Sequence, residues 1–301
     1  MSKVGACEFC LPVWGPDSIY FASDCGFEGV QITDLRGAYR GVPLLNKRIQ
    51  EGYLEAAEKT GLAIDSLHLM ALSHSTGMIC PAGSPKNEMA KLSLRKGIES
   101  CLALGIKVLN LSGGDKTAME PVINQEIWNN LIAFMNHAVQ SCAEHGITVA
   151  YETSMDISRL KEFLDRIPGL TLNYDIENSV VCGTGFQIPL YVPEKIDHIH
   201  IKDGYRDPET GIKRPVITGT GTGNIAEAVR ILKEKGYDGW YYSESKYIQY
   251  MLPEDIKQKR FGYEAYQEFS IGDTLPPSTF GGTDLTEVIR KDCEAIKKMV
   301  Y

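Results

Sequence analysis

The chain has 301 residues, of which 43% are hydrophobic and 23% charged, and it carries a formal net charge of −8 at pH 7. This composition excludes a fibrous repeat and a disordered chain, since both depart strongly from globular residue usage. The acidic balance disfavours a nucleic-acid partner, because such proteins neutralise phosphates with clustered lysine and arginine. No run approaches the roughly 18 apolar residues that a membrane span needs, and the start lacks a secretory pattern. We therefore predict a soluble, cytoplasmic protein without a membrane partner, whose partner is a small substrate or another protein.

The eight cysteines are scattered through the chain. Without a secretory signal, this usage predicts reduced, buried thiols rather than a disulfide framework. Cys7 and Cys10 form a C-x-x-C pair, but neither a second pair nor a nearby histidine pair completes a tetrahedral zinc site. We expect ordinary buried thiols at both positions.

One pattern recurs along the chain: a helical segment, a glycine and a short apolar strand. Each glycine stands where a helix can end in the left-handed conformation, and the strand follows within a few residues. With the opening strand "KVGACEF" and the strand in "DHIHIKD", the pattern predicts eight strands, at about residues 3–9, 28–33, 63–69, 106–112, 147–153, 170–176, 197–202 and 239–244.

Strands that alternate with helices predict right-handed crossovers and a parallel sheet, and eight of them fit a closed barrel. The predicted fold class is therefore α/β, a (β/α)8 TIM barrel that forms one domain over residues 1–301. A doubly wound open sheet is the alternative. It would normally carry a glycine-rich phosphate turn after its first strand, where this chain has "CEFCLPVWGP".

Two helices and two insertions are specific predictions. Residues 120–145 place apolar side chains at helical steps, and the last helix begins at Asp284, with Glu287 completing a capping box. Long segments follow strand three, at residues 70–86, and strand eight, at residues 246–283, both at the barrel mouth. The second is rich in tyrosine and phenylalanine, which predicts a packed insertion and favours a homodimer or homotetramer.

The predicted C-terminal ends of the strands carry residue types that bind metals. Any one of them can be structural, as a helix cap, an Asx turn or a core histidine. Four of them, however, occupy equivalent positions on strands five to eight, whose ends converge near the barrel axis. Three adjacent carboxylates would repel one another unless a cation lay between them. In chain order the residues are His68, Glu152, Asp175, His200 and Glu244.

We predict one divalent metal at the last four of these residues. Two glutamates, one aspartate and one histidine form an oxygen-rich set, for which we favour Mn²⁺, with Mg²⁺, Co²⁺ or Zn²⁺ as alternatives. Strand alternation places His198, His200 and Lys202 on one face of the strand in "IDHIHIKDG". His200 is nearer the mouth and is the predicted ligand, whereas His198 lies one layer deeper as a supporting residue.

Five segments together carry a resemblance to a known family. "YETSMD", "NYDIENS", "HIHIKDG", "GTGTGNI" and "GWYYSES", in this order, resemble the xylose isomerase-like TIM-barrel superfamily of sugar-phosphate isomerases and epimerases, over essentially the whole chain. "CEFCLPVWG", "PAGSPKN" and "DIENSV" are most similar to pentulose-phosphate 3-epimerases. The resemblance implies that Glu152, Asp175, His200 and Glu244 are the metal ligands, and that Glu152 and Glu244 are also the catalytic acid and base.

The implied activity is a metal-dependent ketose 3-epimerase that moves a proton through a metal-stabilised enediolate of a sugar or sugar phosphate. The resemblance also implies substrate contacts by Asn178, where many relatives carry a histidine, and by Arg206, six residues after His200. His68 and Trp14 are predicted pocket-wall residues by position, with a core histidine and plain packing as the alternatives.

Several alternatives remain open from the sequence. An aldose–ketose isomerase of the hydroxypyruvate isomerase type, or an inosose dehydratase-like lyase, would use the same metal centre. An apurinic endonuclease would need more ligands and a basic face, and a non-catalytic binding barrel would not need the ligand set. The segment "GTGTGN" after strand seven either binds phosphate through its backbone N–H groups or only turns the chain, and the lack of a Walker-type lysine favours the turn.

Overall fold

The computed structural model describes residues 2–34, 43–73, 75–115, 123–206, 208–209, 213–247, 279–280 and 283–301. Eight parallel strands close into a barrel in the order β1, β8, β7, β6, β5, β4, β3, β2. The (β/α)8 prediction is therefore confirmed, and each strand lies within two residues of its predicted place. The strands are β1 Lys3–Cys7, β2 Gly29–Thr33, β3 Ala63–His68, β4 Val108–Ser112, β5 Thr148–Glu152, β6 Thr171–Asp175, β7 Ile196–Ile201 and β8 Trp240–Ser243.

Helices surround this barrel and bury their apolar faces against it. Helix α4 begins at the Ser84 cap, whose side chain accepts from the Asn87 N–H, and it ends at Gly105 with φ of 72°. The helices are α1 Asp17–Asp24, α2 Lys47–Thr60, α3 Met70–Ser73, α4 Pro85–Leu104, α5 Gln125–Ala143, α6 Ile157–Arg166, α7 Ile176–Val181, α8 Gln187–Tyr191, α9 Ile225–Glu234 and α10 Leu285–Val300. Short 3₁₀ turns cover Glu8–Cys10, Pro43–Leu45, Gly77–Ile79 and Pro193–Lys195.

Aromatic rings fill the lower part of the barrel interior, and two glycines make room for them. A Cβ on Gly5 would lie 2.3 Å from the Tyr242 ring, and one on Gly29 would lie 2.6 Å from the Trp240 ring. His198 lies above them, stacked on Tyr242 with ring centroids 5.4 Å apart. The base of the barrel is thus packed with side chains, which leaves its C-terminal mouth as the place for chemistry.

Some sequence predictions concern segments that are only partly described. Helix α5 falls inside the predicted range 120–145, whereas α10 begins one residue later than predicted, because Asp284 belongs to a short antiparallel pair formed by Thr279–Phe280 and Thr283–Asp284. The predicted packed insertion lies mostly outside the described residues. All eight cysteines are free thiols, most of them buried, as predicted. Within the described residues, no helix has the length and apolar character needed to cross a membrane.

Candidate metal centre

The four predicted ligands meet at the C-terminal mouth of the barrel. Glu152 ends β5, Asp175 ends β6, His200 is the penultimate residue of β7, and Glu244 directly follows β8. One donor atom from each residue lies within 4.8 Å of the others. Parallel neighbouring strands produce this convergence, since Asp175 is the register partner of His200, which in turn pairs with Tyr242, two residues before Glu244.

The His200 ring is held in a defined orientation by an amide from across the barrel. Its Nε2 lies 2.8 Å from the Oε1 of Gln31, whose own Nε2 donates to the Ser66 hydroxyl at 3.1 Å. With Nε2–H donating to Gln31, Nδ1 is the ring nitrogen that faces Glu152 and Glu244, whose carboxylate oxygens lie 3.5 and 3.4 Å away. A hydrogen bond of this kind fixes the tautomer that a metal ligand needs.

Lys202 lies inside the same cluster and bridges two of its carboxylates. Its Nζ is 2.5 Å from both Asp175 Oδ2 and Glu244 Oε2, and its side chain is 7% exposed. Because β7 lies between β6 and β8 in the barrel, a side chain two residues after His200 reaches both neighbouring strand ends. Strand alternation predicted that Lys202 shares the face of His200, but the sequence pattern assigned it no role.

Asn178 contacts the carboxylates rather than standing apart from them. Its backbone N–H donates to Asp175 Oδ1 at 2.9 Å, so that Asp175 caps helix α7. The Asn178 amide also donates to Asp175 Oδ2 at 2.5 Å and to Glu152 Oε1 at 3.4 Å. The residue predicted to contact substrate therefore also orients two predicted metal ligands.

The charges of the cluster nearly cancel. Three carboxylates face the Lys202 ammonium and the Lys246 ammonium, which lies 2.7 Å from Glu244 Oε1, so these five groups leave a net charge of −1. Burial raises the pKa of Asp175 to about 7, an effect that the nearby Lys202 charge only partly offsets. The raised pKa therefore reflects first the burial of this carboxylate, to which the neighbouring Glu244 and Glu152 charges add.

This donor set fits a divalent cation. Carboxylate oxygens with a single imidazole nitrogen suit hard and borderline divalent metals. A cation here would also replace protons that the cluster otherwise takes up. The cluster can therefore hold a metal ion, at the four residues predicted from the sequence.

His68, Trp14 and Arg206, the other predicted site residues, differ in their surroundings. The buried His68 ring stacks on His200 with ring centroids 6.1 Å apart, and burial lowers the pKa of its imidazole to about 4. A neutral His68 lies beside Ser73 and Asn110, at 3.0 and 3.1 Å. Trp14 is half-buried in the loop after β1, and Arg206 is exposed in a hairpin that follows β7. His68 thus adjoins the cluster, whereas Arg206 is exposed.

A buried carboxylate on helix α10 supports the last ligand from outside the barrel. Asp292 Oδ2 accepts from the hydroxyls of Ser243 and Ser245, the two neighbours of Glu244, at 3.0 and 2.8 Å. Its Oδ1 accepts from both the backbone N–H and the hydroxyl of Thr218, at 2.8 Å each. Asp292 therefore holds the side chains on both sides of a candidate metal ligand, and no local sequence pattern indicates this role.

The fold and the cluster define this protein as a TIM barrel with a candidate metal centre at its catalytic mouth. A family model described as a xylose isomerase-like TIM barrel matches residues 19–263. The chain belongs to this family, which confirms the resemblance inferred from its motifs. A comparison with curated proteins found no match.

Solved structures agree on the fold. D-allulose 3-epimerase from Methylomonas sp., in complex with D-allulose, has a TM-score of 0.69 at 18% identity and covers 99% of this chain and 96% of its own. The probable 3-DHS dehydratase AsbF from Bacillus anthracis has a TM-score of 0.66 at 14% identity, and the match covers 99% of each chain. The IOLI protein with a bound zinc atom has a TM-score of 0.67 at 14% identity, and the match covers 99% of this chain and 98% of the IOLI chain. At these identities the likeness shows the fold, and epimerases and a dehydratase share it.

Proposed function

We propose that this protein is a divalent-metal-dependent ketose 3-epimerase, with Glu152, Asp175, His200 and Glu244 as the metal ligands. The observation that carries the proposal is the convergence of these four donor groups at the barrel mouth. The solved ketose epimerase with the same fold supports this choice of reaction among those that the fold hosts. Manganese is the proposed metal, because the set has three carboxylates and only one imidazole.

An epimerase removes a proton next to a carbonyl and returns one to the opposite face. A bound divalent cation would supply Lewis-acid stabilisation of the negative charge that builds up on the substrate oxygens. With a divalent cation, the net charge of the five groups in the cluster changes from −1 to +1, the sign that favours an anionic enediolate. The sign of the local charge therefore agrees with the proposed chemistry.

The positions of Glu152 and Glu244 support a proton exchange from different sides. Glu152 ends β5 and Glu244 directly follows β8, strands that β6 and β7 separate, and each has an oxygen within 3.5 Å of His200. Glu244 contacts two ammonium groups, whereas the side chain of Glu152 is 16% exposed and contacts no lysine in the described structure. We assign proton removal to the Glu152 carboxylate and proton return to Glu244, which would relay a proton from the Lys202 ammonium 2.5 Å away. Exchange of Glu152 and Lys202 with solvent would then restore their starting protonation states.

Deuterium exchange tests the reaction. The protein is loaded with Mn²⁺ and incubated in D₂O with a panel of ketoses, and the products are followed by NMR. Exchange at C3 together with formation of the C3 epimer is the expected result. Exchange at C1 or C2 would identify an aldose–ketose isomerase instead, and loss of water with a new enol-type absorbance would identify a dehydratase.

Metal analysis tests the site. The double variant Glu152→Gln, Asp175→Asn should lose its bound metal and all exchange activity, because amides replace two anionic ligands. Glu8→Gln is a matched control, since Glu8 is also a buried carboxylate near the mouth but its partners are Thr33, Gly15, Ser18 and Tyr53. The control should keep its metal. Full metal content in the double variant would disprove the assigned site.

A further inference from the structure

The glycine-rich loop after β7 has a buried anion at its centre. Asp203 is 2% exposed, and its Oδ2 accepts from the backbone N–H groups of Gly219 and Gly221 at 3.0 and 2.8 Å. Its Oδ1 accepts from the N–H groups of Gly223 and Gly204, at 3.0 and 2.9 Å. Alternate amides of "GTGTGN" thus converge on one carboxylate, in the way that such loops elsewhere converge on a phosphate.

The close fit of the loop around Asp203 explains its glycines. A Cβ on Gly221 would lie 2.4 Å from Asp203 Oδ1, and one on Gly223 would lie 2.9 Å from it. The backbone of Thr222, between them, donates to the Gly204 carbonyl at 2.9 Å, and its hydroxyl donates to the same oxygen at 3.0 Å. Both glycines are therefore needed to let the backbone approach the carboxylate.

We infer that Asp203 fills the anion-binding nest of this loop and that the protein acts on an unphosphorylated sugar. This inference rests on the proposed ketose reaction and specifies its substrate class. A phosphate seated on these amides would have to displace a buried carboxylate that has four N–H donors, and would bring further negative charge close to it.

Neighbouring groups favour the same conclusion. Helix α9 begins directly after the loop, and its first turn carries Glu227, whose carboxylate pairs with Arg230 and adds negative charge near this end of the helix. Lys202 and Lys246, the ammonium groups at the metal cluster, are both engaged with Glu244. The loop amides and these two ammonium groups are thus already engaged by carboxylates of the chain itself.

Paired substrates test the inference on the wild-type holoenzyme. Each ketose in the panel is compared with its terminal phosphate ester, using C3 deuterium exchange as the assay. The free ketose should have a kcat/KM higher than that of its ester by about tenfold or more, because the described loop amides that could bind the phosphate of the ester are already bonded to Asp203. A preference of similar size for the ester would overturn the inference while leaving the epimerase assignment intact.

Anion rescue provides a test that does not depend on turnover. Inorganic phosphate is added to metal-free protein, so that it cannot bind the metal, and the melting temperature is measured. Wild type should show no shift. Asp203→Ala leaves the loop amides without their acceptor, and phosphate should raise its melting temperature. Asp292→Ala is the control, since it also removes a buried carboxylate but leaves this loop's amides paired with Asp203.

The exchange assay and the phosphate titration distinguish a failure of the proposed function from a failure of the inference about the loop. If no sugar or ester exchanges a proton, the proposed function fails, and the phosphate titration still decides how the loop is used. Stabilisation of wild type by phosphate that Asp203→Ala abolishes would overturn the inference. If Asp203→Ala does not fold, the wild-type titration alone tests the inference. A loop that is free to bind phosphate would raise the melting temperature of the wild-type protein, and a loop filled by Asp203 would not.

Discussion

Replacing Lys202 by methionine should make folding depend on the metal. Methionine preserves the length of the side chain but removes the ammonium group that lies 2.5 Å from both Asp175 and Glu244. The two carboxylates are 1% and 4% exposed, so water cannot take over the role of the lysine. The five-group cluster then changes from a net charge of −1 to −2 in the metal-free protein.

The expected cost follows from the burial of the pair. Breaking a buried ion pair on one side destabilises a protein by about 3–5 kcal/mol, since a charge is left without a partner. For a chain of this size each kcal/mol lowers the melting temperature by about 2–4 °C, so metal-free Lys202→Met should melt about 6–20 °C below wild type. A divalent cation supplies the missing positive charge, and the deficit should shrink clearly in the metal-loaded protein.

Lys246→Met is the matched control, because Lys246 contacts the same glutamate but its side chain is 36% exposed. An ion pair that water reaches contributes about 1 kcal/mol or less, so this variant should melt within about 4 °C of wild type. The assay is thermal unfolding followed by circular dichroism, with chelator and with Mn²⁺. Equal deficits of Lys202→Met in both conditions would refute the reasoning, as would a metal-free variant as stable as wild type.

Three further variants test the support of the site and the base of the barrel. Gln31→Leu should weaken metal binding by about 10–100-fold, because it removes the hydrogen bond that orients His200; calorimetric titration with Mn²⁺ measures this, and unchanged affinity would contradict it. Asp292→Asn should lower kcat with little change in KM, since loosened flanks misplace a metal ligand rather than a substrate contact, and an unchanged kcat would exclude that positioning role. Gly5→Ala should destabilise the fold by about 1–3 kcal/mol, because its Cβ would overlap Tyr242; denaturant unfolding at wild-type stability would show that the ring can move.

The barrel was predictable because its signals are local. A glycine that ends a helix, followed by an apolar strand, needs only neighbouring residues to be recognised. That repeat predicts six of the eight strands, and the apolar runs near residues 3–9 and 197–202 supply the other two. The four candidate ligands were predictable for a related reason: in a parallel barrel every strand ends at the same mouth, so equivalent positions meet without any knowledge of the packing.

The partners of these ligands were not predictable from the sequence. Gln31 is 169 residues from the His200 ring that it orients, and Asp292 is 47 residues from Ser245. Neither lies in a recognisable motif, because a hydrogen bond between distant elements leaves no periodic trace. The glycine-rich loop remained ambiguous for the same reason, since a turn and a phosphate nest have the same composition.

The sequence by itself determined the fold class, the strand positions and the chemical types gathered at the mouth, because these depend on periodicity and on the geometry common to all parallel barrels. Only the tertiary structure decided which cations neutralise the carboxylates at the mouth and which group binds the amides of the glycine-rich loop. It places Lys202 between two carboxylates and seats Asp203 on the loop amides. Both the pairing of these charges and the filling of the loop depend on distances of a few ångströms between residues that are far apart in the chain, and spacing along the chain does not specify such distances.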